Sequence, residues 1–598
     1  MDYVERLGKI EDLRNYVFPS PSYHVHIYVE CHSITFDDGG GFFYYYDSPD
    51  FASRFPDNDG TIIKHNTHGT DDDDMTGRWI RVIDGYININ YFGCKSVGTD
   101  ISVKIQSAID HAYSSHLLSG DFPLQGNTVY FPDGTYFVKK TLILKSGVSL
   151  VGGSLENTFL IRSNETSSAD GFMLEMDKGR IEGCNITDIT FNGNKVVNAE
   201  NFPVVIDGTN GCFKFIAQKG DYDDGGLWSC TFKNLRIRNF NGNGIELIAS
   251  GDEDYNLPNQ LLVFENVTVV RQKEDAYALL MKGEHGQITF INCGFGGIKY
   301  DFERVEGIDT WDMIKKTNVS LQGITKKIGL GPNVVSFINS TFQDSECGIV
   351  IEYSESITMD TCWFENLDLA ITVLNDGNDK SKGINILNNR FANAAGFGSL
   401  PIRNQHIENP PFDYVGRAIT SRNSQINVYN NYVTVSNMDS AEPYSPLKKR
   451  FILGLKPNDG IRTSGNSFYD SRLGYSYGIM QFIGIQADNE PQPSPWGHCL
   501  DLKDNKIIFV DGGDYTNNEV SRLISSVSAG ETISIRAFSE KVIFNNEKNI
   551  FFSNQPKLRL DKGDIATFIK IDNYFINGGI VYLENYQLIF VFKSTSPS

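Results

Sequence analysis

The chain has 598 residues, with 40% apolar side chains, 56 glycines, 40 Phe and 28 Tyr, a composition that suits a globular, strand-rich protein and excludes disorder along the whole chain. Its formal net charge of −21 disfavours nucleic acid and anionic membrane as partners, because both are held by basic patches. No run approaches the ~18 apolar residues of a membrane-spanning helix, and MDYVERLGKIEDLR has no apolar signal core, so exit from a cell is expected by lysis or within a particle.

Residues 1–92 read as a separate head. LGKIEDLRNYVF carries a short amphipathic segment, HVHIYVE alternates as a strand, DDGGGFFYYYD is a glycine turn and strand, and TGRWIRVIDGYININYFG closes the unit. Asp71 to Asp74 are four adjacent acids in a loop and read as a solvated turn, since a cation needs ligands fixed around it. The nine cysteines show no CxxC and no zinc spacing, and they read as reduced, partly buried thiols. No metal or cofactor is expected.

Asp100 to Ser115 has helical spacing, with Ile101, Ile105, Ala108, Ile109 and Ala112 on one face, and is expected to cap a stack of strands whose end would otherwise stay open to edge pairing. The stack itself repeats a short sentence. VSFIN-STFQD from Val335, ITMDT-CWFEN from Ile357 and INILN-NRFAN from Ile384 alternate apolar and polar residues around a central polar one. The central positions are Asp188, Asn234, Asn266, Asn292, Asn339, Thr361, Asn388, Asn430, Asn466 and Asn505, a column expected to be a structural ladder at a coil corner. Uneven intervals between them place loops at 194–226, 297–332 and 394–415. The reading is an all-β chain, a parallel β-helix over 93–515, followed by a C-terminal β-sandwich over 516–598.

GGGFFYYYD, DNDGTII, GRWIRV, IQSAID and NTVYFPDGTYFVKKTLILKSGVSLVGG, in this order over residues 35–153, resemble the phage tailspike capsular depolymerases of the pectate-lyase-like β-helix superfamily. The glycine-aspartate pattern of that family is eroded here to CKSVGTDIS. The resemblance implies a right-handed helix, a homotrimer and a place on the virion. It also implies docking to a tail or baseplate protein through the N-terminal side, and a bacterial capsular polysaccharide as the target. The C-terminal domain would serve trimerisation or carbohydrate binding.

Alternation sends the residues two and four after each ladder position outward. Those pairs include Arg236 and Arg238, Thr341 and Gln343, Trp363 and Glu365, Arg390 and Ala392, and Tyr432 and Thr434. Trp363, Glu365, Arg390 and Tyr432 fall on consecutive coils and are expected to form one patch. A Trp ring stacks on a pyranose, a neighbouring acid reaches the glycosidic oxygen, and arginines suit an acidic polymer. Glu365 is the expected catalytic acid. Asp344, Glu346 and Glu352 are candidates for the second carboxyl, with Asp376, Glu303 or Asp309 further off. Gln343, Arg236 and Arg238 join the substrate-binding set. The plain alternative packs Trp363 under the 297–332 loop and pairs Glu365 with Arg390. A lyase would need a base and a Ca²⁺ or Arg stabiliser; no outward cluster of three Asp appears, so only a metal-free form is kept. A non-catalytic adhesin would use the same aromatic and Arg patch. His24, His26, His65 and His68 all lie in the head.

Overall fold

The computed structural model describes residues 5–18, 26–33, 39–66, 77–94, 99–117, 126–163, 171–194, 211–220, 225–251, 256–270, 276–297, 317–323, 330–375, 381–394 and 417–435 save 423, with shorter strands between 450 and 592. The chain forms two compact units. Unit 1 holds residues 1–300, 318–325 and 330–340; unit 2 holds 301–317, 326–329 and 341–598.

In unit 1 the head is a five-stranded sheet in the order Glu5–Lys9, His26–Cys31, Gly41–Tyr46, Arg78–Arg81, Ile62–Lys64. Ile27, Val29, Phe43 and Trp79 are fully buried on one face, and Phe18 stacks on Trp79 with ring centroids 5.3 Å apart. Arg81 closes the opposite end. Its guanidinium donates to the carbonyls of Gly60, Gly40 and Gly39 at 2.8–2.9 Å and lies between the rings of Phe43 and Tyr91, 4.4 and 4.3 Å from their centroids. Burial pushes its pKa down to about 9. Tyr91 belongs to the 3-10 turn Ile89–Phe92 that leads into the coils, so the head is fastened to the next element by a cation held between two rings. A Cβ on Gly39 would sit 1.8 Å from the Asn90 carbonyl oxygen, which makes glycine obligatory at this contact.

The capping helix forms as expected, over Ser102–Leu117, with Ile105, Ala108, Ile109 and Ala112 buried. It does more than cover the apolar end. Gln106 accepts from the Ile143 amide at 2.8 Å and donates to the Ile143 carbonyl at 3.2 Å, which supplies the edge strand with the partners a neighbouring strand would give.

Among the described residues, seven coils turn twice through left-handed backbone, five residues apart. The pairs are Gly183 and Asp188, Ser229 and Asn234, Leu261 and Asn266, Gln287 and Asn292, and Val334 and Asn339 in unit 1, then Ser356 and Thr361, and Gly383 and Asn388 in unit 2, all at φ between 49° and 70°. The second member of each pair is the expected ladder. Asn and Asp tolerate this conformation because a short polar side chain bonds locally. Asn234 donates to Asp188 at 2.9 Å, Asn266 to Asn234 at 3.1 Å and Asn339 to Asn292 at 2.6 Å. Where Thr361 interrupts the column, Asn388 donates to Asp360 instead, at 2.8 Å.

Parallel pairing in register fills the interior with stacked rings. Phe232, Phe264, Phe290 and Phe337 succeed one another at 4.5–4.8 Å in unit 1, and Phe342, Phe364 and Phe391 at 4.8–4.9 Å in unit 2. Asn466 is not a corner residue. It belongs with Asn389 and Asn431 to an inner column in which each side chain accepts from the backbone amide of the preceding coil at 2.8–2.9 Å. Position 505 lies outside the described residues. The eight described cysteines are buried and free, as their placement beside strands suggests.

The expected boundary at 516 is not a break in pairing. Phe482–Gly484 pairs in parallel with Ile507–Asp511, which pairs in parallel with Thr532–Ala537, and Glu519–Val520 pairs in parallel with Val542–Asn545. Antiparallel pairing joins Ser467–Asp470 to Tyr475–Gly478, Val542–Asn545 to Lys557–Leu560 and Thr532–Ala537 to Ile565–Ile576, which forms a long hairpin with Gly579–Phe592.

Two consequences for stability can be measured. Val334 is β-branched, 45% exposed and held at φ 52°, so Val334→Asn removes strain at little loss of burial and is expected to stabilise unit 1 by about 1 kcal/mol in urea unfolding. His285 is fully buried, with Nε2 3.0 Å from the carbonyl oxygens of Leu247 and Lys282, so that nitrogen carries the hydrogen. Burial lowers its pKa from 6.5 to about 4. The unfolded chain therefore binds a proton that the native state refuses between those values, and stability present above pH 6.5 falls by about 3 kcal/mol as pH drops to 4. In His285→Gln the urea midpoint should depend less steeply on pH over that range.

Candidate functional site

On unit 2 the register sets Thr341, Trp363, Arg390 and Tyr432 side by side on successive coils, and Gln343, Glu365 and Ala392 in the next outward column. The residues between them, Phe342, Phe364, Phe391 and Val433, are buried. Trp363, Glu365 and Tyr432 are half-buried and Arg390 is exposed. The alternation read from the sequence is therefore the one the backbone adopts.

The expected patch is assembled. The Arg390 guanidinium lies 4.5 Å from the centroid of Trp363 and 5.8 Å from that of Tyr432, which places a fixed cation between two aromatic faces. Trp363 Nε1 donates to Glu365 Oε2 at 3.2 Å. Glu365 is thus oriented by the ring beside it, and no ion pair joins it to Arg390 among the described residues. Among the described residues no group accepts a hydrogen bond from the Arg390 guanidinium.

The carboxyls proposed to work with Glu365 are placed differently. Asp344, next to Gln343, is itself a left-handed corner at φ 54°, and its Oδ1 accepts from Asn366, a corner at the same φ one coil on, at 3.1 Å. It forms a short second ladder, which uses one of its oxygens and leaves the other. Glu352 lies past that corner and past the end of the strand Thr341–Ile351, away from the Trp363 column; its carbonyl accepts from Ser354. The side chain of Glu346 and the whole of Asp376, Glu303 and Asp309 fall outside the described residues, as does Asp71–Asp74.

Arg236 and Arg238 belong to unit 1. Arg236 makes a two-pronged bond to Glu156 at 2.8 and 3.0 Å. That guanidinium holds the Glu156 carboxyl below its ordinary range, while Glu156 raises the pKa of Arg236. Arg236 is therefore already partnered, whereas Nε of Arg238 is buried without a hydrogen-bond partner among the described residues. Sequence reading passed over Glu156, which sits in a turn with no periodic signal. It also passed over a second ring and cation on unit 1, where Arg180 lies 4.4 Å from the Trp228 centroid and pairs with Glu182 at 3.1 Å. Among the described residues no three His, Cys, Asp or Glu side chains are gathered as a metal site would require.

Two family models match the chain. Residues 6–84 match the phage tail protein small four-stranded β-sheet domain, and residues 86–297 match rhamnogalacturonase A/epimerase, pectate lyase-like. Among solved structures, tailspike protein 2 from Escherichia coli O157:H7 bacteriophage CAB120 is 15% identical with a TM-score of 0.48, over 77% of this chain and 55% of that one. The tailspike protein of Acinetobacter baumannii phage AM24 is 14% identical with a TM-score of 0.45, over 77% of this chain and 65% of that one. The A-module of the mannuronan C-5 epimerase AlgE4 of Azotobacter vinelandii is 16% identical with a TM-score of 0.42, over 64% of this chain and 94% of that one. The matches thus span 55% and 65% of the length of those two tailspikes. No curated protein matches the chain.

Removing the cation should uncover a face of Trp363. Arg390→Ala is expected to raise acrylamide quenching of the Trp363 emission, isolated by difference from Trp363→Phe, at a cost to stability of no more than about 1 kcal/mol.

Proposed function

We propose that this chain binds and degrades a bacterial surface polysaccharide. It joins a phage-tail β domain to a pectate-lyase-like β-helix, and it stands with the phage tailspikes of that superfamily, on the virion tail. The observation that carries the proposal is the unit 2 patch: a ring whose indole orients a carboxylate, beside a guanidinium with free donors. Trp363 and Tyr432 offer apolar faces to a sugar, and Arg390 offers paired donors to a carboxylate on the polymer.

The reaction we assign is glycoside hydrolysis. Glu365 protonates the glycosidic oxygen, and Asp344, in the residue after the neighbouring Gln343, acts through its oxygen not engaged by Asn366. Gln343 steadies the sugar between them. The partners are the capsule, two further copies of the chain in a homotrimer, and a tail or baseplate protein at the N-terminal side. One observation favours a binding-only spike: the corner bond from Asn366 already gives Asp344 a structural task.

Polysaccharide extracted from the bacterium that the phage infects separates the two readings. Wild type should shorten it, Glu365→Gln should be slower by about 100-fold or more, and Trp363→Ala should bind it more weakly. Equal shortening by wild type and Glu365→Gln removes Glu365 from the chemistry. Binding without shortening by either leaves an adhesin.

A further inference from the structure

An outward face of unit 1 carries two arginines in different company. The strands Asn185–Asn192, Thr231–Arg238 and Gln260–Val270 pair in register, with Thr190 and Asn192 opposite Arg236 and Arg238, and Arg236 opposite Thr268. Leu235 and Ile237, which alternate with the arginines, are 1% exposed and point inward, so both guanidiniums stand on the outer side.

Arg236 is fully engaged. Its Nη1 and Nη2 donate to the two oxygens of Glu156 at 3.0 and 2.8 Å, which takes the carboxylate from both ends. Arg238 finds no acceptor on either flank. Asn192, opposite it on the preceding coil, spends its side-chain oxygen on the Asn194 amide at 2.9 Å and on Asn239 Nδ2 at 3.1 Å. On the following coil stands Val270, next to the Val269 that pairs with Ile237, and it offers only methyl groups. Nε, the innermost of the three Arg238 nitrogens, is closed off from solvent with no partner among the described residues. Arg238 still stands near enough to Glu156 to help hold that carboxyl below its ordinary range, after the larger contribution of Arg236.

Two guanidiniums and one carboxylate leave a single positive charge on this face, against a net charge of −21 on the whole chain. An acidic polymer is repelled by most of such a surface and admitted where the sign reverses. The ground beside the arginines is low. Gly294–Gly296 pairs with Thr268–Val270, so the two outward columns continue as Gly294 and Gly296. A Cβ on Gly294 would meet nothing nearer than Thr268, at 3.6 Å, and its backbone is not left-handed, so neither packing nor conformation requires glycine there. The glycines leave a floor open next to Thr268, with the Arg236–Glu156 fork and Arg238 standing at one end of it.

We propose that this face binds an acidic sugar of the polysaccharide, with the sugar's carboxylate on the terminal nitrogens of Arg238 and its ring over the Gly294 floor. A planar guanidinium matches a carboxylate in shape, and one negative charge cancels the surplus. Glu156 keeps Arg236 upright and occupied, so that the carboxylate goes to Arg238. The site rests on the reading that the chain binds a bacterial surface polysaccharide, and not on the role of Glu365.

Binding of the full chain is measured in the cold, where cutting is slow, on immobilised polysaccharide from the bacterium that the phage infects. The polymer is used native and after chemical reduction of its carboxyls to alcohols. Wild type is expected to bind the reduced polymer about 10-fold more weakly than the native one. Arg238→Gln is expected to bind the native polymer about 10-fold more weakly than wild type does, to match wild type on the reduced polymer, and to keep its melting temperature, since no internal bond is lost. Equal affinity of wild type for the two polymers, or wild-type affinity of Arg238→Gln for the native one, overturns the site. A loss in Arg238→Gln that is as large on the reduced polymer overturns it too, because the bound anion is then another group, such as a phosphate. Should Arg238→Gln melt early, Glu156→Gln decides: it is expected to bind the native polymer about 3-fold more tightly and the reduced one no differently, and unchanged affinity for the native polymer overturns the site. Wild type that binds neither polymer overturns the polysaccharide reading itself and this site with it.

Discussion

Two left-handed residues, five apart, turn the chain in seven of the described coils, and the stacking of those coils depends on them. A left-handed L-residue costs about 1–2 kcal/mol, and repetition at every level would be expensive without compensation. The compensation is the column itself, since Asn234 bonds Asp188, Asn266 bonds Asn234, and Asn339 bonds Asn292, each corner steadying the next. Because the corners stack in register, the residues after them stack as well. That is why Phe falls on Phe inside, and why Trp363 falls between Thr341 and Arg390 outside.

The same constraint decides what chemistry is available. A column delivers one side chain every strand spacing, so charges and rings on successive coils meet whether or not they are close in sequence. On unit 2 this gives Trp363, Arg390 and Tyr432, drawn from strands 27 to 69 residues apart, and on unit 1 it gives Glu175, Lys214 and Glu246. Burial then sorts the titratable groups. It favours the neutral form of each, so the acid Glu246 is raised while the base His285 is lowered to about 4. His285 is sealed between backbone carbonyls and serves the scaffold, whereas the Glu246 carboxyl is held by Asn243 and Lys214.

Much of this was legible because period-two alternation is unambiguous when one face is lined by Phe. The Asn column and the Trp363, Glu365, Arg390 and Tyr432 patch follow from it, while the capping helix follows from its own helical spacing. The first corner was not legible where it is Leu261, Gln287 or Val334, which carry no residue preference that marks left-handed backbone. Asp344 looked like a free acid beyond a strand because its partner Asn366 is 22 residues on and its own corner lies within the strand Thr341–Ile351. Glu246 was hidden in GIELI, a run that reads as plain core; Lys214, which meets its carboxyl, comes from an earlier coil. Parallel strands near 507–545 alternate much as antiparallel ones do, so alternation alone does not separate the coils from a sandwich there.

The central proposal is that the outward residues around Trp363 and Glu365 cut a bacterial surface polysaccharide with water. Mass spectrometry of the oligosaccharides released by the wild-type chain, from the polymer of the bacterium the phage infects, addresses it most directly. Products that each carry the mass of whole repeat units plus one water, with saturated ends, are predicted. Products lacking that water and ending in an unsaturated sugar would contradict the account and point to elimination instead.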